Sequence, residues 1–119
     1  MTWRIRDRAT FAELRRSRHR VRKGPITVTW VPGPEAEPPR VGYAIGRRVG
    51  GAVVRNRLRR RLRAIVSELG LGPGAYAIGA APPAAALSSK ELRAIVSEAL
   101  EALPVGVATR PRPVPGDAG

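Results

Sequence analysis

Between Arg55 and Arg63, six of nine residues are arginine, none is acidic, and Leu58 and Leu62 stand four apart. A guanidinium stays charged at every working pH, so a segment like this can bury only a narrow stripe. Its apolar spacing predicts a helix over about residues 52–68. On a wheel of 100° per residue, Val54, Leu58, Leu62, Ile65 and Leu69 fall within about 40° of Leu58. Asn56, Arg59, Arg60 and Arg63 collect on the opposite face, with Arg55 and Arg61 flanking the stripe. The fold must therefore offer this helix a flat apolar surface on one side and open space on the other. Arginines at i,i+4 repel one another when no acid relieves them. A polyanion would offset that cost, and the forked donors match phosphate oxygens.

The rest of the chain repeats this bias. Lys and Arg number 22 against 9 acids, giving a formal charge of +13 over 119 residues. Residues 4–23 carry nine basic groups and two acids, Asp7 and Glu13, and residues 47–63 carry eight and no acid. Charge concentrated this way points to nucleic acid rather than to a diffuse solvated surface. No apolar run nears the roughly 20 residues of a spanning helix, and charges break up the first 25 residues, so neither membrane contact nor a signal peptide is expected. With no Cys and a single His, a disulfide frame and a structural zinc are excluded, and a cytoplasmic location is expected.

One domain is expected over 1–103, followed by a proline- and glycine-rich tail at 104–119 that is expected to be disordered. Residues 9–18 read as a short helix with Thr10 as N-cap and Glu13 completing a capping box. Gly24-Pro25 breaks the chain before a strand at 26–31. There Ile26, Val28 and Trp30 share one face, and Thr27, Thr29 and Val31 the other. A proline-heavy loop leads to a strand at 41–45. Gly50-Gly51 turns the chain into the basic helix, a buried strand follows at 75–80, and Ser88 with Glu91 caps a last helix near 89–103. The apolar stripe of that helix is Leu92, Ile95, Val96, Ala99 and Leu103. The predicted order is α-β-β-α-β-α, an α+β sandwich in which helices cover a small sheet.

Catalytic groups are not evident. The acids are scattered, the serines lack a base, and His19 sits among arginines as a surface or RNA-contacting residue. The glycines between 42 and 51 are not followed by the Lys-Ser/Thr pair of a phosphate loop. No residue of the chain is assigned as catalytic or as a metal ligand. Phe11, the only Phe, is read either as core or as a platform for an unpaired base, with Trp3, Trp30 and Tyr43 as the other aromatics near the basic blocks. On these residues a structural RNA-binding protein such as a ribosomal protein remains open. A metal-dependent nuclease is disfavoured by the scattered acids. DNA is not expected as a partner, because helix-turn-helix spacing and dimerisation heptads are missing.

From Arg40 to Arg63 (RVGYAIGRRVGGAVVRNRLRRRLR) the sequence closely resembles the protein subunit of bacterial ribonuclease P. The shared parts are the strand Val41–Ile45, the pair Arg47-Arg48, the turn Gly50-Gly51 and the run Arg55-Asn56-Arg57 that opens the basic helix. The likeness extends to Arg4-Ile5-Arg6 and Thr10-Phe11 and to the order of elements up to about residue 103. It implies a ribosomal protein S5 domain 2-like fold with a left-handed βαβ crossover. It also implies a ribonucleoprotein endonuclease for tRNA 5′ maturation, in which a catalytic RNA subunit, with Mg²⁺ bound mainly by RNA, removes the leader of precursor tRNA. The implied RNA-binding residues are Arg47, Arg48, Arg55, Asn56, Arg57, Arg59, Arg60 and Arg63. The implied leader cleft contains Phe11, with Arg15 where the family often has a second aromatic, and Thr29 in place of an aromatic, beside Trp30.

Overall fold

A computed structural model describes residues 3–5, 8–34 and 36–103. The predicted tail at 104–119 lies outside the described residues, as do Arg6, Asp7 and Glu35. The elements are β1 (Trp3–Arg4), α1 (Arg8–Arg16), β2 (His19–Lys23), β3 (Ile26–Val31), β4 (Arg40–Ile45), a 3₁₀ turn (Arg47–Val49), α2 (Ala52–Glu68), β5 (Ala75–Ala80), a second 3₁₀ turn (Pro82–Ala86) and α3 (Ser89–Glu101). No helix among the described residues is long and apolar enough to cross a membrane.

The strands form one mixed sheet in the order β1-β4-β5-β3-β2. β4 runs parallel to β5 and to β1, while β3 is antiparallel to β5 and β2. Because β4 and β5 are parallel neighbours, the chain between them must cross over the sheet, and α2 is that crossover. β1 pairs only with Arg40 and Val41. Among the described residues no strand covers the side of β4 from Gly42 to Ile45, an opening that matters below.

Both faces of the sheet are covered, unequally. Ile26, Val28, Val41, Ile45, Tyr76 and Ile78 point to one face and pack with Leu58, Leu62, Ile65 and Val66 of α2 and with Leu92, Val96, Ala99 and Leu100 of α3. Each such buried aliphatic side chain contributes about 1.5–3 kcal/mol, so this layer holds the basic helix in place. The other face carries a smaller cluster, Ile5, Leu14, Val31 and Ala75, under α1. Val54 departs from the predicted stripe. It lies in the first turn of α2, beyond the sheet, and stays 38% exposed.

Two sequence expectations need correction. Thr10 does not cap α1, which begins two residues earlier. Thr10 is buried, and its hydroxyl accepts a hydrogen bond from Arg40 Nη1 at 3.2 Å, so a tertiary contact replaces the local cap. The predicted order also omits β1 and β2. β2 (HRVRK) is an exposed edge strand with four cationic or imidazole side chains around Val21, a composition that blunts edge-to-edge pairing but hides the strand from hydrophobic patterning. Gly24-Pro25 is the two-residue loop of a β2–β3 hairpin, with Gly24 at φ 52 as such tight loops require. The capping box on α3 forms as predicted, with Ser88 Oγ accepting from Glu91 N and Glu91 Oε1 accepting from Ser88 N.

Candidate nucleic-acid interface

The entry to α2 is built from glycine. Val49 is buried and anchors the 3₁₀ turn that leaves Arg47 and Arg48 exposed. Gly50 follows at φ 153, where a Cβ would lie 2.9 Å from Cβ of Val54, so only glycine lets the chain double back this closely. Gly51 then serves as N-cap without a side-chain cap bond.

Along α2 the arginines separate by direction. Asn56, Arg57, Arg60 and Arg63 are exposed, while Arg55, Arg59 and Arg61 are half-buried along their stems. Arg59 Nη1 donates to Asn56 Oδ1 at 2.9 Å, which fixes one guanidinium against its own helix. Arg61 turns the other way and donates to the Leu87 carbonyl. Arg55 has its Nε enclosed without a hydrogen-bond partner. Among the described residues none of the arginines from 55 to 63 is paired with a carboxylate. Glu68, at the end of the helix, pairs with Arg93 of α3 instead.

Beside this face lie two grooves. The first, about 230 Å³, runs between α1 and the sheet and brings together Phe11, Arg15, Arg20, Thr29 and Gly42. Arg20 Nε donates to Thr29 Oγ1 at 3.2 Å, a contact set by the hairpin register that pairs the two residues. The second, about 610 Å³, opens at the uncovered side of β4 between Arg4, Phe11, Gly42, Tyr43, Arg59 and Arg63. Arg63 Cζ stands 5.9 Å from the centre of the Tyr43 ring, within cation–π range. Burial lifts the Tyr43 phenol to about 12, against a smaller opposing pull from Arg63, so it stays a neutral donor.

The predicted cleft residues Phe11, Arg15 and Thr29 thus share one groove. Phe11 is 40% exposed and so lies outside the buried core. Trp30 does not join them. It packs against the α2/α3 side of the sheet and donates from Nε1 to the Pro73 carbonyl at 3.1 Å. Sequence reasoning missed Arg4, Arg20 and Tyr43 as lining residues. Arg20 was within reach, because a two-residue turn at Gly24-Pro25 by itself pairs positions 20 and 29. His19 is exposed, with its ring tilted against Trp30 at 5.2 Å. Among the described residues no group of three or more His, Cys, Asp or Glu side chains gathers to hold a metal ion.

Comparison with known proteins agrees with this architecture. Residues 1–103 match the family described as Ribonuclease P. The chain is 43% identical over 94 residues to the "Ribonuclease P protein component" of a Nocardioides species, covering 75% of this chain and 80% of that protein. It is 47% identical over 70 residues to the protein of the same name from Beutenbergia cavernae, covering 56% of this chain and 59% of that one. In three dimensions it is similar to the RNase P protein of Staphylococcus aureus, with a TM-score of 0.74 at 22% identity over 83% of this chain and 93% of that one.

Proposed function

The chain belongs to the ribonuclease P protein family, and from that premise we propose that it binds the catalytic RNA and the 5′ leader of precursor tRNA, aiding removal of the leader without breaking bonds itself. The observation that carries this reading is an acid-free arginine face on a helix held by its buried stripe, standing next to open grooves lined by aromatic rings and guanidiniums.

Both RNAs are polyanions, and they come together only if their charge is neutralised. On this reading Arg47, Arg48, Arg55, Asn56, Arg57, Arg59, Arg60 and Arg63 supply that neutralisation to RNA. Each phosphate they contact releases counterions, so binding weakens steeply with salt. Phe11, Arg15 and Thr29 receive the leader, whose unpaired bases expose faces that a duplex hides. Added contacts to the leader favour precursor over mature tRNA. Mg²⁺, which the family resemblance implies for the reaction, finds no matching donor set among the described residues, so no step here runs through a protein-bound ion. The protein works in the cytoplasm on this account.

A reconstitution tests it. Purified protein is combined with a bacterial ribonuclease P RNA and 5′-labelled precursor tRNA at low Mg²⁺, beside each component alone. Cleavage at the mature 5′ end only with both components is the expected result. Cleavage by protein alone would overturn the assignment of catalysis to RNA.

A further inference from the structure

The two grooves are not separate. Phe11, Gly42 and Tyr43 line both, so the α1 groove continues over Gly42 into the groove at the open side of β4. The passage exists because β1 covers β4 only at Arg40 and Val41, and because position 42 has no side chain. A Cβ there would stand 3.3 Å from Ile5 Cδ1 and 3.5 Å from Phe11 Cε1. Beyond this saddle the wall is no longer α1 but α2, through Arg59 and Arg63.

We propose that the arginines of α2 serve two different RNA partners: Arg59 and Arg63, with Arg4, hold the stretch of the 5′ leader on the α2 side of Gly42, whereas Arg57 and Arg60 face the RNA subunit. The inference rests on the leader-binding reading above and divides a basic face that sequence treats as one surface. Helical geometry gives the division. Taking Leu58 as the inward direction, Arg59 and Arg63 lie at about +100° and +140°, and Arg57 and Arg60 at about −100° and −160°. The first pair overlooks the groove. The second is exposed on the far flank and lines neither groove.

The groove chemistry suits an unpaired strand. A single strand is held by rings under its bases and cations along its backbone. Phe11 and Tyr43 supply rings on the two sides of the saddle, and Arg15 with Arg20 at one end and Arg4, Arg59 and Arg63 at the other supply the cations. Two of those guanidiniums are already oriented, Arg59 by Asn56 and Arg63 by the Tyr43 ring. Less side-chain freedom is then lost when a phosphate arrives.

The test is a crossed pair of double variants in the reconstituted holoenzyme, Arg59→Ala with Arg63→Ala, and Arg57→Ala with Arg60→Ala. Two quantities are measured for each: the affinity of the protein for the RNA subunit alone, and the preference of the holoenzyme for precursor over mature tRNA with leaders of increasing length. The first variant is expected to lose roughly tenfold of precursor preference, the scale of lost charge-assisted contacts. That loss should depend on leader length, because a leader too short to span the saddle occupies only one of the two grooves. The second variant is expected to weaken RNA-subunit binding by roughly tenfold while keeping the preference. The division is overturned if the first variant keeps full precursor preference, or if both variants lose RNA-subunit affinity equally. A wild-type holoenzyme without any precursor preference would instead sink the leader-binding reading itself, an outcome visible before either variant is compared.

Discussion

Replacing Gly42 by alanine should move stability and substrate preference in opposite directions. Glycine inside a strand costs about 0.5–1 kcal/mol relative to alanine, and its φ here is not in the left-handed region, so the backbone accepts a side chain. The new Cβ would press on Ile5 Cδ1 at 3.3 Å and touch Phe11 Cε1 at 3.5 Å. Ile5 can yield, because the pressed atom is the end of its side chain and borders the 610 Å³ groove. Crediting that small adjustment against the gain leaves the variant more stable by about 0.5 kcal/mol, or about 2–4 °C in Tm for a domain of this size. The same methyl sits on the saddle between the grooves. An intruding methyl in a shaped site costs about 1 kcal/mol or more, about fivefold in precursor preference. Thermal melting followed by circular dichroism reads the first effect, and competition between precursor and mature tRNA for the holoenzyme reads the second. A Tm lowered by several degrees would show that Ile5 is locked. An unchanged preference would show that the leader does not cross this point.

Other consequences follow from single contacts. Leu62 is fully buried beneath the arginine face, so Leu62→Ala should destabilise by about 2.7–5 kcal/mol in urea unfolding; a loss below 1 kcal/mol would mean that α2 is not anchored by this stripe. Ser88→Ala should cost about 1 kcal/mol by removing the α3 cap, again read by urea unfolding. The Ser88 hydrogen bonds also hold the Glu91 carboxyl below its usual range, so their contribution is present above the unfolded carboxylate pKa and is lost as pH falls through the lowered one. The larger cause is the Ser88 backbone N–H, which survives in Ser88→Ala. Acid titration should therefore show the stability loss in the wild type and most of it in Ser88→Ala, but not in Glu91→Gln. Identical acid profiles for the wild type and Glu91→Gln would refute the linkage. At the other extreme, burial raises both tyrosines above 10, Tyr43 to about 12 and Tyr76 further, so stability is whole below pH 10 and declines as pH climbs toward 12. Tyr43→Phe should flatten that alkaline decline, and an unaltered slope in pH-dependent melts would count against it.

What sequence made legible was set by hydrophobic contrast. The span of α2, the strands at 26–31 and 75–80 and the α3 capping box all stand where periodicity and capping chemistry put them, because each has an apolar face or a local hydrogen-bond signature. β2 lacked both, being an exposed edge strand whose charges mask its alternation. Thr10 misled for a different reason: its hydroxyl is satisfied by Arg40, thirty residues away, and no local rule sees such a partner. The basic face was readable as a face. Its two flanks were not distinguishable until the open side of β4 showed which flank borders a groove. Tyr43 and Arg4 entered for the same reason, since their role depends on β1 stopping after two paired residues.

The exchange of aromatics for polar groups in the α1 groove has its own logic. At positions 15 and 29 the family resemblance leads one to expect rings, and this chain has Arg15 and Thr29. Threonine is too short to stack on a base, yet its hydroxyl accepts Nε of Arg20 and so fixes a planar guanidinium on the same wall. A guanidinium stacks on a base face as a ring does and also pairs with phosphate. The groove therefore keeps planar platforms while gaining charge, with Phe11 and Tyr43 as its neutral rings. On the proposed reading, leader binding in this protein draws more of its energy from phosphate contacts and less from stacking, and is correspondingly more sensitive to salt. Arg20, on a strand that hydrophobic patterning does not reveal, then stands in physically for the ring missing at position 29.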